Sequence, residues 1–135
     1  MNDFDALVSK IEQIAKNKPH TIIGITGFGG SGKSYLTDRL KDHFGINDDQ
    51  IVRIDNLYGL NPNGPGIFDQ SDWNLIEHIL KDSSAGKKIK YQGKDNKGKV
   101  LYFDEDLPEI VIFEGIRLLQ PKFNQYFDIS VWIDC

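Results

Sequence analysis

Gly27-Phe28-Gly29-Gly30-Ser31-Gly32-Lys33-Ser34 decides how the rest of the chain is read. The stretch fits G-x-x-x-x-G-K-[ST] at every fixed position. Glycines let a backbone curl until successive N–H groups converge on one anion. A helix starting behind them turns its positive end to the same anion. Lys33 can then reach β- and γ-phosphates as a point charge, and Ser34 can set its hydroxyl on Mg²⁺. Gly27, Gly29 and Gly32 also satisfy the dinucleotide spacing G-x-G-x-x-G, but Lys33-Ser34 belongs to a triphosphate cradle. The expectation is a site for ATP and Mg²⁺ over Gly27–Ser34, with Tyr35 continuing the nucleotide-binding stretch.

The flanks supply the context that the motif needs. Thr21-Ile22-Ile23-Gly24-Ile25-Thr26 is a short β-branched run and reads as a buried strand. Behind the loop, Tyr35, Leu36, Leu40 and Phe44 recur at helical spacing, and Gly45 is a plausible C-cap. Upstream, Phe4, Leu7, Val8, Ile11, Ile14 and Ala15 make one apolar helix face, stopped by Asn17-Lys18-Pro19. Residues 1–18 are therefore expected as an N-terminal helix, and 20–135 as the nucleotide-binding core of a single domain.

Further along, 51–54 and 109–113 read as strands, and 128–133 as a last strand. Gly59, Pro62, Gly64, Pro65 and Gly66 make 55–70 a long loop. Trp73, Ile76, Ile79 and Leu80 predict a helix over 72–83, with Ser71 as its N-cap. Lys88–Gln92 and Lys99–Phe103 predict a solvent-exposed hairpin around Asp95-Asn96-Lys97-Gly98. Leu118 and Leu119 predict a short helix broken by Pro121, and Trp73 and Trp132 read as packing residues. Strands alternating with helices imply an α/β fold with a mainly parallel sheet covered on both faces.

Composition excludes several other classes. The 135 residues carry 39% apolar and 27% charged side chains, enough for one core and unlike a disordered tail. A net charge of −4 argues against a dedicated nucleic-acid binder. The one cysteine, Cys135, cannot form an internal disulfide. His20, His43 and His78 have no zinc-ligand spacing. No apolar run approaches the ~20 residues of a membrane helix, and the acidic start is unlike a signal peptide. A cytoplasmic protein with no nucleic-acid or membrane partner is the expectation. The lysines from Lys81 to Lys99 read as the solvated side of the hairpin.

In open α/β sheets, ligands sit beyond the carboxyl ends of strands. Asp55 follows strand 51–54 and Glu114 follows strand 109–113, so both should face the phosphate loop. One carboxylate there can take a proton from an attacking hydroxyl. Another can hold Mg²⁺ through its waters.

Asp55-Asn56-Leu57-Tyr58, Phe68-Asp69-Gln70-Ser71-Asp72 and Glu114-Gly115-Ile116, with the phosphate loop, resemble the signature segments of uridine kinases. These belong to a branch of P-loop kinases that also includes phosphoribulokinases, pantothenate kinases and nicotinamide riboside kinases. The resemblance runs from about residue 20 to 134 and implies a three-layer P-loop fold with a protruding hairpin. It implies ATP-dependent phosphorylation of a nucleoside 5′-hydroxyl, with Asp55 as general base and Lys33 on the phosphates. It also implies Asp69 on the ribose hydroxyls, Tyr58 on base or sugar, Tyr91 lining the nucleobase pocket, and Glu114 and Ser34 at the metal.

The chain departs from the family pattern at Leu57, Gln70-Ser71 and Gln92, which bear on the choice of acceptor. The family also continues into an arginine-bearing lid and a further strand. Their absence predicts nucleotide binding with slow transfer, and an open sheet edge that favours a homo-oligomer. Kinases of another small alcohol (pantothenate, nicotinamide riboside or a sugar phosphate) and a non-catalytic nucleotide-binding fragment remain as alternatives. A GTPase switch lacks its Asp-x-x-Gly and Asn-Lys-x-Asp signatures.

Overall fold

The computed structural model describes residues 3–27, 32–57, 73–94, 97–115 and 117–133. Its elements in chain order are helix α1 (Asp3–Ala15), strand β1 (Thr21–Gly27), helix α2 (Lys33–Phe44) and strand β2 (Val52–Arg53). Helix α3 (Trp73–Ser84), strands β3 (Ile89–Lys94), β4 (Val100–Glu105) and β5 (Ile110–Glu114), helix α4 (Pro121–Asn124) and strand β6 (Ile129–Ile133) follow. Four strands form one parallel sheet in the order β2-β5-β1-β6. β3 and β4 pair antiparallel as a separate hairpin.

Side-chain alternation divides the core into two layers. Ile23 and Ile25 of β1, with Ile110 and Ile112 of β5, pack against Val8 and Ile11 of α1 and Leu40 of α2. Ile22, Val111 and Phe113 face the other way, onto Ile76, Ile79 and Leu80 of α3 and onto Ile89 and Tyr91 of the hairpin. This is the three-layer α/β arrangement that the strand–helix alternation implies. Every residue of β1 and β5 is buried, as expected for strands covered on both faces.

The termini of the elements follow local chemistry. α2 begins after Gly32 (φ 95°) and ends at Gly45 (φ 67°), both left-handed positions that suit glycine. The Gly45 N–H bonds to the Lys41 carbonyl. Gly24 is needed for a different reason: a Cβ there would stand 2.9 Å from the Phe127 ring.

Several expectations are corrected. The strand expected over 51–54 shrinks to Val52–Arg53, because the chain winds into a 3₁₀ turn at Ile54–Asn56. Pro121 does not break a helix over Leu118 and Leu119. It starts α4, since a first-turn residue needs no N–H partner and its fixed φ suits the helix. The hairpin is exposed on one side only: Ile89, Tyr91 and Gly93 of β3 are buried, while Lys90 and Gln92 point out. Trp132 is 54% exposed. It shares a face of β6 with Ser130, opposite Ile129, which packs in the α1–α2 layer. The N-cap expected at Ser71 lies outside the described residues. Among the described residues no helix is long and apolar enough to cross a membrane.

Candidate phosphate and metal site

The parallel register brings the site together at the carboxyl ends of β1, β5 and β2. Gly27 ends β1, and α2 starts at Lys33 on the far side of the loop. Gly32 accepts the first helical bond, from the Leu36 N–H at 3.0 Å. Ser34 and Tyr35 are exposed on the first turn of α2, and Lys33 is half-buried. Phe28, Gly29, Gly30 and Ser31 lie outside the described residues, as do Tyr58 and Asp69.

Glu114 ends β5 and is 6% exposed. Ile110, Ile112 and Glu114 alternate onto the α2 side of the sheet, so its carboxylate points at the helix that carries Lys33 and Ser34. The Ser34 hydroxyl lies 3.5 Å from Glu114 Oε1, a long contact at the limit of a hydrogen bond. The other oxygen, Oε2, accepts a 2.6 Å bond from Arg53 Nη1. Burial pushes the Glu114 carboxyl above its ordinary value. Arg53 opposes that shift, Asp55 adds to it, and Lys33 also opposes it. Thr37, one turn along α2, lowers it slightly from close range, although its buried hydroxyl has no partner at hydrogen-bond distance.

The loop after β5 is held against β1. Thr26 donates its hydroxyl proton to the Gly115 carbonyl at 2.7 Å, and the Leu118 N–H approaches the same hydroxyl oxygen at 3.4 Å. Gly115 must be glycine: a Cβ there would stand 2.1 Å from Ile54 Cγ1. This contact also packs the end of β5 against the turn that carries Asp55. Asp55 is exposed, in the 3₁₀ turn rather than directly behind a strand, and its charge reaches Glu114.

Tyr91 is placed differently from the exposed sites. It is buried in the α3 layer, its ring stacked on Phe103 at 4.6 Å. Its hydroxyl is buried without a partner, and burial raises its pKa. The hairpin nevertheless reaches the site: β3 bridges Lys94 to Leu57, and Gly93 lies so close to Asn56 that a Cβ would stand 2.5 Å from its carbonyl oxygen.

The donor set suits a hard cation. Ser34 and Glu114 offer only oxygen, the preference of Mg²⁺. No group of three or more His, Cys, Asp or Glu side chains among the described residues could hold a metal ion.

Sequence reading missed Arg53 as a site residue. Its signal was present in the alternation. Val52 and Ile54 face α3, so Arg53 faces α2, and the parallel register sets it directly opposite Glu114. Burial lowers the Arg53 pKa, but Glu114, Asp48 and Asp38 outweigh that and raise it.

With this geometry in place, two sequence relatives become informative. The chain is 30% identical over 129 residues to a uridine kinase of Clostridium novyi, covering 84% of this chain and 61% of that protein. It is 28% identical over 133 residues to a uridine kinase of Listeria monocytogenes, covering 87% and 62% respectively. A solved structure of a possible uridine kinase from Bacillus stearothermophilus shares the fold at a TM-score of 0.69 and 17% identity. The chain is thus similar in sequence to uridine kinases and in fold to the solved structure. The aligned fold covers 96% of this chain and 82% of that structure. No protein-family profile matches the chain. The chain thus spans about three fifths of the length of the two curated relatives, 61% and 62%.

Proposed function

We propose that the chain carries the phosphate-binding and acceptor-activating core of an ATP-dependent kinase for a nucleoside 5′-hydroxyl. The observation that supports this best is the gathering of Lys33, Ser34, Glu114 and Asp55 at one end of the parallel sheet. The relatives named uridine kinase support the acceptor class.

Gly27 to Ser34 would cradle the phosphates, with Tyr35 flanking the nucleotide and Lys33 compensating charge on the β- and γ-phosphates. Ser34 and Glu114 would hold Mg²⁺, whose bound form neutralises charge building on the transferred group. Asp55 would accept the proton of the acceptor hydroxyl. The oxygen would then form a bond to the γ-phosphorus as the bond to the β–γ bridging oxygen breaks, releasing ADP. Asp69 and Tyr58 would bind ribose and base, and Tyr91 would support the pocket wall from within the hairpin. Because the acceptor-reading positions include Leu57, Gln70 and Gln92, another small alcohol is the second reading.

Transfer of labelled γ-phosphate to a panel of nucleosides, pantothenate and sugar phosphates tests this. The expected result is a labelled nucleoside with wild type and none above background with Asp55→Asn, which should still bind ATP. Transfer by Asp55→Asn at the wild-type rate would overturn the role of Asp55. Transfer only to a non-nucleoside alcohol would overturn the acceptor class.

A further inference from the structure

Resting on the reading of Glu114 as the carboxylate of the cation site, we propose that Arg53 is its resident counter-charge, an internal stand-in for the divalent cation. The two residues are direct partners in the β2–β5 register. Arg53 Nη1 donates to Glu114 Oε2 at 2.6 Å, leaving Oε1 turned toward Ser34 at 3.5 Å. The second nitrogen, Nη2, donates to Asp48 at 2.9 Å and lies 3.6 Å from Asp38. Asp48 and Asp38 are 61% and 58% exposed, so solvent and salt screen them. The Glu114 side chain is 7% exposed and that of Arg53 22%. The desolvated part of the cluster is therefore one positive and one negative charge.

This arrangement has a consequence for how a cation enters. A buried carboxylate without a partner is a strong cation trap, because its desolvation is uncompensated. Glu114 is already compensated in part by Arg53 at 2.6 Å, so a bare divalent ion gains less there and meets the nearby guanidinium charge. A cation that arrives on a triphosphate brings its own negative charge and loses less to that repulsion. Arg53 thus biases the site toward the metal–nucleotide complex over the free ion, and keeps the strand ends assembled when no metal is bound. Arginine suits the task better than lysine because its planar fork meets Glu114 and Asp48 at once.

Binding of free Mn²⁺, followed by the loss of its EPR signal without nucleotide, tests the proposal. Arg53→Met should bind bare Mn²⁺ about tenfold or more tightly than wild type, because the carboxylate loses its counter-charge. Arg53→Lys should stay near wild type, since it restores the charge. Adding Glu114→Gln to Arg53→Met should abolish the gain. If Arg53→Met melts without metal, millimolar Mg²⁺ should restore its cooperative unfolding transition. Arg53→Met that binds Mn²⁺ no more tightly than wild type, or that Mg²⁺ fails to refold, overturns the proposal. Mg·ATP titrated onto wild type separates this from the kinase reading. No binding there overturns the phosphate site, while the nucleotide-free Mn²⁺ comparison stands or falls by itself.

Discussion

Strands β1 and β5 are buried along their whole length, whereas β3 buries only every second residue. The first pair is covered by helices on both faces and ends at the phosphate loop and at Glu114. The hairpin leans one face on α3 and gives the other, lysine-bearing face to water. The difference separates two duties. The parallel strands fix where charges stand relative to the phosphate loop. The hairpin supplies a wall beside the turn that carries Asp55, through the close approach of Gly93 to Asn56. Mutations in the sheet should cost stability throughout, while those in the hairpin should depend on which face they touch.

The largest effect is expected at Phe113, fully buried in β5. Phe113→Ala should destabilise the fold by about 3–5 kcal/mol, from lost burial and the cavity left behind. Chemical denaturation checks it, and a loss within about 1 kcal/mol would mean that the sheet is less tightly packed than its burial implies. Gly93→Ala comes next. Its new Cβ meets a backbone carbonyl, which cannot swing aside, so a cost of about 1–3 kcal/mol is expected. A neutral Gly93→Ala in the same assay would show that the hairpin is not seated on the Asp55 turn.

Glu114 sharpens the comparison through pH. Its folded pKa lies above its unfolded value, so its contribution is fully present below the unfolded pKa and is lost as pH rises through the folded one. Unfolding free energies of wild type and Glu114→Gln, measured without cation, should shift in favour of the glutamine variant as pH rises from about 4.3. A shift in the opposite direction would mean that Arg53 outweighs burial. The smallest effect is expected at Tyr91. Its hydroxyl is buried without a partner, so Tyr91→Phe should leave stability unchanged or raise it by up to about 1 kcal/mol. A loss above about 1 kcal/mol would reveal a hydrogen bond there.

Much of this plan is legible in the residues. Ile110 to Phe113 is apolar at every position, as a strand covered on both faces requires, and Glu114 closes it at the carboxyl end of the sheet. The glycines flanking α2 mark its ends as sharply. The failures have local causes. Ile51 to Ile54 has the composition of a strand, but only two residues pair, because the turn holding Asp55 winds early. Pro121 after Leu118 and Leu119 suggests a breaker, but its fixed φ serves equally to start a helix. Trp132 looked like core because tryptophan usually is, but its place on β6 shares the outward face with Ser130. Arg53 and Glu114 stand 61 positions apart in sequence, and only the register makes them neighbours.

The central claim is that the ends of β1, β5 and α2 form a site for Mg·ATP. Calorimetric titration of Mg·ATP onto the wild-type chain and onto Lys33→Ala tests it most directly. The account predicts saturable binding by wild type, weakened about tenfold or more in Lys33→Ala by loss of the phosphate-facing charge, with Lys33→Ala still unfolding cooperatively. Equal binding by both proteins, or none by wild type, would contradict it.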